Sequence, residues 1–307
     1  MHVSSALVAC ALTIALSAPL SVRAQEQDDQ PRFRASVDVV TIAAVVRDKQ
    51  GRVVSSLTKD DFTVLDEGTA QPIVEFQPDS NGPISIGLLI DGSGSMRPSS
   101  GVSRRAAETL LALLNAHSDD VALMSFDTRL LTHRQFTSDF QQLRSALNEV
   151  ECWGATSAYD AIAGAARIVS EHTRKRRAVL VVTDGSDNWS TYSASEVAWI
   201  ASTIDVPIYV FSLASPSNVA PLVGRTSPVL TSPLADLARA TGGELFVAES
   251  PALISLGIRR LLEELRHQYV IAFESSTTGG LREIEIKTRK PELRVKSRKW
   301  YSASSGE

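Results

Sequence analysis

The stretch ISIGLLIDGSGS, residues 84–95, determines the fold of the chain. Its first seven residues are uncharged and mainly apolar, which is typical of a strand that is covered on both faces of a parallel sheet. The strand ends at Asp91, and glycine and serine alternate in the loop that follows. Because ligand sites of open α/β sheets lie at such strand ends, this loop is a candidate functional site.

Strand-like and helix-like segments alternate from this stretch as far as residue 266. The predicted strands are 84–90, 121–126, 130–135 (as a hairpin partner), 178–183, 207–213 and 244–248. The predicted helices are about 103–117, a second marked by Leu143, Leu147 and Val150, then 157–171, 193–204, 233–241 and 251–266. This order predicts an α/β fold, with a doubly wound, mainly parallel six-stranded sheet and helices on both faces, over residues 83–266.

The segments on either side are rich in β-strand patterns. Residues 33–80 contain about four short strands, and residues 267–301 contain three. Neither flank has the roughly seven strands of a typical sandwich. We expect the two flanks to fold together as one small β-sandwich, with the α/β domain inserted between them. Separate flanking sheets are the alternative.

Composition and charge exclude several classes of protein. The 307 residues are 43% hydrophobic and 21% charged, an ordinary globular balance, and the net charge of −4 does not favour nucleic acid as a partner. The apolar N-terminus predicts a signal peptide over residues 1–24, cleaved after Ala24, and a flexible leader over 25–32. An uncleaved anchor is the alternative, and no later segment has the length of a membrane span. We therefore expect a protein exported to the periplasm, the cell surface or the medium.

The cysteines carry no predicted chemistry. Cys10 lies in the signal segment, so the mature chain would hold Cys152 as a single thiol without a disulfide partner. No His or Asp stands at a spacing that would activate Cys152 as a nucleophile.

Oxygen-bearing side chains gather at the predicted strand ends. Asp91, Ser93 and Ser95 alternate along one loop, so their side chains converge on one side. Thr156 begins a predicted helix, and Asp184 ends the most apolar strand. These five residues form an all-oxygen set, which suits a hard cation such as Mg²⁺, with Mn²⁺ or Ca²⁺ as alternatives.

This set resembles the metal-ion-dependent adhesion site of the von Willebrand factor type A family. That motif reads Asp-x-Ser-x-Ser, then a distant Thr and a distant Asp, and all five positions are present here. The resemblance implies coordination by the two serines and Thr156, aspartates that often act through water, and a partner's carboxylate that completes the shell. The sequences of residues 45–51, 57–62 and 281–301 are similar to those of an exported acidobacterial subfamily related to this domain.

The resemblance implies a non-enzymatic adhesion or assembly module, and its rivals fit the sequence less well. A scaffold with a purely structural metal is one alternative, and serines that only cap the following helix are another. A secreted hydrolase is a third, but residues 92–96 do not read Gly-x-Ser-x-Gly. Asp127 and Asp187 are interpreted as solvated loop acids, with tuning of the site as the alternative, and Trp189 and Tyr192 as a candidate rim for the partner.

Overall fold

The computed structural model describes residues 39–173, 176–213, 232–275 and 279–303. The predicted signal peptide and leader lie outside the described residues. The described residues all belong to one compact unit. Among the described residues, no helix combines the length and the apolar character needed to cross a membrane.

The central sheet has six strands and is mainly parallel. Its strands are β5 (Ser85–Asp91), β6 (Asp120–Phe126), β7 (Leu130–Thr137), β8 (Arg177–Thr183), β9 (Ile208–Ser212) and β10 (Leu245–Val247). They lie in the order β10-β9-β8-β5-β6-β7, and only β7 runs antiparallel to its neighbour. The doubly wound sheet predicted from the sequence is thus confirmed, including the hairpin strand at its edge.

Six α-helices of the described residues cover both faces of this sheet. They are α1 (Ser100–Leu113), α2 (Phe140–Leu147), α3 (Ala158–Ser170), α4 (Ala194–Thr203), α5 (Pro233–Ala240) and α6 (Pro251–Arg266). Side chains of α1, α2 and α6 form one hydrophobic core with the sheet, and those of α3, α4 and α5 form the other. Helix α4 begins at a capping box, in which Ser193 and Glu196 satisfy each other's backbone N–H groups.

The first helix lies about a turn earlier in the chain than the sequence predicts. Its last residue is Leu113 rather than His117, because the buried Asp119 stabilises a turn that directly follows the helix. The Asp119 carboxylate accepts hydrogen bonds from the backbone N–H groups of Asn115 at 2.8 Å and Ile84 at 3.0 Å. The turn therefore engages the N–H group of Asn115, which a longer helix would have bonded to one of its own carbonyl groups.

The flanks form two four-stranded antiparallel sheets. Their strands are β1 (Val39–Arg47), β2 (Phe62–Asp66), β3 (Thr69–Gln71), β4 (Ile73–Ser80), β11 (His267–Glu274), β12 (Gly280–Thr288), β13 (Arg294–Lys296) and β14 (Trp300–Ala303). The strand orders are β13-β1-β11-β4 and β14-β12-β2-β3, so each sheet combines strands from both flanks. One hydrophobic core joins the two sheets. The sequence did not predict β14. The division of the chain into domains stays a prediction.

A buried carboxylate connects these sheets to the α/β domain. Glu264 of α6 accepts hydrogen bonds from Arg47 Nε of β1 at 2.8 Å and from the Tyr209 hydroxyl of β9 at 2.9 Å. It also pairs with Lys296 of β13. Four elements from distant parts of the chain thus meet at one side chain that has no exposure to solvent.

This network predicts a pH dependence of stability. Burial alone would raise the pKa of Glu264, but Lys296 and Arg47 together hold it below the ordinary value of 4.5. A group whose pKa is lowered on folding stabilises the fold fully above its unfolded pKa, and the stabilisation is lost as the pH falls through the folded pKa. The difference in free energy of unfolding between wild type and Glu264→Gln should therefore be constant at neutral pH and shrink below 4.5. Urea unfolding at stepped pH measures this difference; a difference that grew in acid would contradict the assignment.

Candidate metal-binding site

The carboxylate of Asp91 is fixed at the end of the central strand. Asp91 is only 1% exposed. Oδ1 accepts a hydrogen bond from the Ser93 N–H at 2.9 Å, and Oδ2 accepts one from the Thr183 hydroxyl at 2.6 Å. Because Thr183 ends β8, which pairs with β5, the carboxylate bridges two neighbouring strand ends.

The two serines present their hydroxyls to each other. Ser93 Oγ and Ser95 Oγ share a hydrogen bond of 3.0 Å. Ser93 precedes a short 3₁₀ helix, Gly94–Ser99, yet its side chain makes no capping hydrogen bond there. For Ser93, the alternative of a simple helix cap therefore has no support in the geometry.

Thr156 lies in a loop that is tied to the loops on either side of it. The residue is 2% exposed, and its N–H donates to Asn188 Oδ1 at 2.9 Å. Its carbonyl oxygen accepts hydrogen bonds from the N–H groups of Asn188 and Trp189, both at 3.0 Å. Within the described part of the chain, its hydroxyl makes no hydrogen bond, so that oxygen is available to a ligand.

Backbone hydrogen bonds hold the three loops together. Gly94 N–H donates to the Gly154 carbonyl at 3.1 Å, and Trp153 N–H donates to the Gly92 carbonyl at 2.7 Å. Asp184 follows Thr183 directly, is half-buried, and accepts a hydrogen bond from Ser186 N–H at 2.9 Å. The structure therefore brings the loops of all five predicted ligands to one edge of the sheet, while their role as ligands stays a prediction.

The electrostatics of the site favour a positive charge. Burial raises the pKa of Asp91, and the nearby charge of Asp184 raises it further, against the lowering effect of hydrogen bonds from Thr183 and Ser93. Burial, followed by the charge of Asp91, also raises the pKa of the Cys152 thiol, which agrees with the absence of an activated nucleophile there. A cation between the two carboxylates would offset the cost of keeping both of them charged.

The donor set limits which cations fit. It has two carboxylates and three hydroxyls, and the described residues contain no group of three or more His, Cys, Asp or Glu side chains that could hold a metal. Hydroxyl-rich ligation suits hard cations rather than zinc. Adjacent ligands of an octahedron with Mg–O bonds of about 2.1 Å stand about 3.0 Å apart. The two serine oxygens share a hydrogen bond of 3.0 Å, so a cation could replace that hydrogen bond with little change in their separation.

Two side chains that support the site were not assigned this role from the sequence. Asp187 is not a solvated loop acid: its Oδ1 accepts hydrogen bonds from the N–H of Ala158 at 2.7 Å and from the hydroxyl of Ser190 at 2.6 Å. It thereby caps α3, whose N-cap residue Ser157 makes no side-chain cap. Asn188 fixes Thr156 by accepting a hydrogen bond from its N–H group. The available sequence signal was the acid and the amide that follow the Thr-Asp-Gly turn, because such side chains often cap neighbouring backbone groups.

Two exposed tryptophans flank the site. Trp153 is 62% exposed and Trp189 is 67% exposed, and both are anchored by backbone N–H groups bonded to site loops. The guanidinium of Arg97 lies 4.6 Å from the centre of the Trp153 ring. Tyr192 instead packs partly buried against the α3 side of the sheet. Trp153 and Trp189 are thus the exposed tryptophans beside the site, whereas the sequence indicated Trp189 and Tyr192 as a rim for the partner, and that rim stays a prediction.

Gly92 offers a test of the site that removes none of the predicted ligands. A Cβ atom there would lie 2.8 Å from the carbonyl oxygen of Glu151, a backbone atom that cannot rotate away. At Gly94 the nearest atom, the carbonyl oxygen of Gly154, would be 3.3 Å away. We expect Gly92→Ala to weaken Mg²⁺ binding about tenfold by displacing the loop, and Gly94→Ala to weaken it less. Calorimetric titration measures both; equal affinities in Gly92→Ala and wild type would show that the loop does not position the ligands.

The mainly parallel sheet, with oxygen-bearing residues gathered at its carboxyl edge, defines an open α/β domain of the kind that binds ligands at its strand ends. The family model of the von Willebrand factor type A domain matches residues 86–186. The resemblance seen in the sequence is thereby confirmed over this span, which contains all five predicted ligands. No curated protein matches the sequence.

Several solved structures are similar to the chain. A von Willebrand factor type A protein from Catenulispora acidiphila is 12% identical with a TM-score of 0.49, over 90% of this chain and 76% of its own. The conserved hypothetical protein BatB from Bacteroides thetaiotaomicron is 19% identical with a TM-score of 0.48, over 59% of this chain and 98% of its own. The pilus adhesin SpaC from Lactobacillus rhamnosus GG is 9% identical with a TM-score of 0.47, over 80% of this chain and 47% of its own. At such low values, nothing that these proteins bind transfers to this chain.

Proposed function

We propose that the chain is a non-enzymatic protein-binding module of the adhesion or assembly type, exported from a bacterial cytoplasm. Asp91, Ser93, Ser95, Thr156 and Asp184 would hold Mg²⁺, with Mn²⁺ or Ca²⁺ as alternatives. The cation, when bound, supplies a positive charge with a coordination position open to a carboxylate. The partner is accordingly a protein that presents an acidic residue to this edge of the sheet.

The spacing of the two serine hydroxyls carries the proposal. Ser93 Oγ and Ser95 Oγ are 3.0 Å apart, at the loop that the buried Asp91 carboxylate fixes. Two hydroxyls at hydrogen-bond distance can turn their oxygen lone pairs toward one hard cation, and the Asp91 carboxylate behind them adds negative charge. Export is inferred from the apolar segment at the N-terminus and is a separate part of the proposal.

The hydrogen bonds between the loops favour a binding role over a purely structural metal. Gly92, Gly94 and Thr156 are already held by neighbouring loops through protein contacts alone. A site arranged in this way does not need the cation in order to fold, which leaves the cation free to serve recognition. A structural metal, by contrast, contributes folding free energy outright.

Metal removal distinguishes these two roles. We expect the chain to stay folded in chelator, with a circular dichroism spectrum like that of the Mg²⁺ form and only the modest loss of stability that ligand removal entails, about 2.7 kcal/mol from a hundredfold excess over Kd. Loss of the folded spectrum in chelator would instead favour the scaffold. Magnesium binding by calorimetry, lost in Thr156→Val, tests the site in the same preparation.

A hydrolase is the second candidate, because one serine contacts a histidine. Ser125 Oγ lies 2.8 Å from His133 Nε2, and His133 Nδ1 lies 3.9 Å from Glu149 Oε2. The second distance is too long for the hydrogen bond that would orient a catalytic imidazole. Ser125 also lies within β6, which pairs with a strand on each side. The sheet therefore engages the backbone groups around Ser125, which are not free to stabilise an oxyanion.

The non-enzymatic proposal predicts an inert Ser125. A fluorophosphonate probe, which labels activated serines, should leave the chain unmodified, and wild type and Ser125→Ala should give the same intact mass. Labelling of wild type that disappears in Ser125→Ala would refute the proposal.

A further inference from the structure

A cavity opens beside the predicted metal site. Its volume is about 500 Å³, and Gly92, Phe126 and Trp153 contribute to its wall. Gly92 stands between two predicted ligands, Asp91 and Ser93, so the cavity and the site share one loop. A partner bound at the site would therefore place its neighbouring side chains over this cavity.

Carboxylates dominate the charge of the cavity wall. Asp127, Glu149 and Glu151 line it, with Arg129 as the one lysine or arginine among its lining residues. Glu149 pairs with Arg134 at 3.1 Å, outside the wall. Glu151 is exposed, and its carboxylate has no ion pair or hydrogen bond among the described residues. The wall therefore carries negative charge that the protein itself leaves incompletely paired.

The remaining wall residues suit a delocalised cation. Burial lowers the pKa of His133, so this residue adds little positive charge at neutral pH. Trp153 presents an exposed indole, which already holds the Arg97 guanidinium 4.6 Å from its ring centre. Guanidinium groups stack on aromatic rings and form forked hydrogen bonds with carboxylates, which a lysine ammonium does less well.

We propose that this cavity binds an arginine side chain of the partner, close to the acidic residue that reaches the cation. This inference rests on the proposed function and specifies its ligand: a protein surface with an acidic and a basic side chain side by side. The cation site and the cavity have opposite charge, so together they would orient the partner and reject surfaces that carry only acidic residues.

Ethylguanidinium tests the cavity without any partner. The full chain, labelled with ¹⁵N, would be titrated in Mg²⁺ while the indole N–H signals of its four tryptophans are followed, with Trp153→Phe to assign one of them. We expect the Trp153 signal to shift saturably with ethylguanidinium and not with neutral N-ethylurea. Glu151→Gln should weaken the apparent affinity about two- to fivefold, whereas Glu108→Gln, an exposed glutamate on α1, should not change it.

The outcomes separate this inference from the proposed function. Equal shifts with ethylguanidinium and ethylurea, or none with either, would overturn the arginine cavity even if calorimetry shows Mg²⁺ binding. A shift of the Trp153 signal with ethylguanidinium alone, without any Mg²⁺ binding by calorimetry, would support the arginine cavity and refute the metal site. Peptides that pair an aspartate with arginine or citrulline give the joint test: arginine should bind more tightly in wild type, and the preference should shrink in Glu151→Gln.

Discussion

Replacing Glu264 with alanine is expected to lower the free energy of unfolding by about 3–5 kcal/mol, the range for removing one partner of a buried ion pair. The side chain has no exposure to solvent and accepts hydrogen bonds from Arg47 and Tyr209. Without it, the Tyr209 hydroxyl loses its acceptor, and the Arg47 side chain, only 9% exposed, keeps only the more exposed Glu263 as a carboxylate partner. Urea unfolding followed by circular dichroism measures the loss.

Glu263 provides the matched control, one residue earlier on the same helix. It pairs with the same arginine at 3.3 Å, but 46% of its side chain is exposed. We expect Glu263→Ala to cost no more than about 1 kcal/mol, as for exposed ion pairs. Equal losses in the two variants would mean that the buried network does not join the flanking sheets to the α/β domain in the way described.

The second large effect concerns Asp91, whose removal is expected to weaken Mg²⁺ binding about 100-fold. Asp91→Ala removes the buried charge, and it also leaves the Thr183 hydroxyl and the Ser93 N–H without their acceptor. The folded state should therefore lose about 1–3 kcal/mol even in chelator. Calorimetry with Mg²⁺ and urea unfolding in chelator measure the two effects separately.

Two aspartate-to-asparagine variants separate charge from shape. Asp91→Asn keeps the size of the side chain and an acceptor oxygen, so it should lose most of the Mg²⁺ affinity and little of the stability. Asp236→Asn, at an exposed position on α5, should change neither. Magnesium affinity that survives in Asp91→Asn would show that the charge at this position does not attract the cation.

Local patterns were enough to predict the α/β domain. Uncharged runs such as 84–90 and 178–183 differ from the periodic helical segments between them, and each pattern depends only on neighbouring residues. Helix α6 was predicted at its observed bounds, Pro251–Arg266, because Ser250 and Pro251 mark its start. Strand β14 was missed because Trp300–Ala303 is short and becomes a strand by pairing with β12.

The predicted ligands could be read from the sequence because each lies at or near a strand end or helix start. Their supports could not, because these depend on which loops meet. Asn188 holds Thr156 from a position 32 residues away, and Arg47 reaches Glu264 across 217 residues. A signal for Glu264 did exist: it lies three residues after Leu261 on the apolar face of α6, where a carboxylate needs a partner.

Magnesium titration calorimetry on three forms of the chain tests the central claim most directly. The forms are wild type, Thr156→Ser, which keeps the hydroxyl, and Thr156→Val, which replaces it with a methyl group of similar size. We expect one Mg²⁺ site in wild type, a similar site in Thr156→Ser, and no measurable binding in Thr156→Val with the folded spectrum intact. Undiminished Mg²⁺ binding in Thr156→Val, or none in wild type, would contradict the claim.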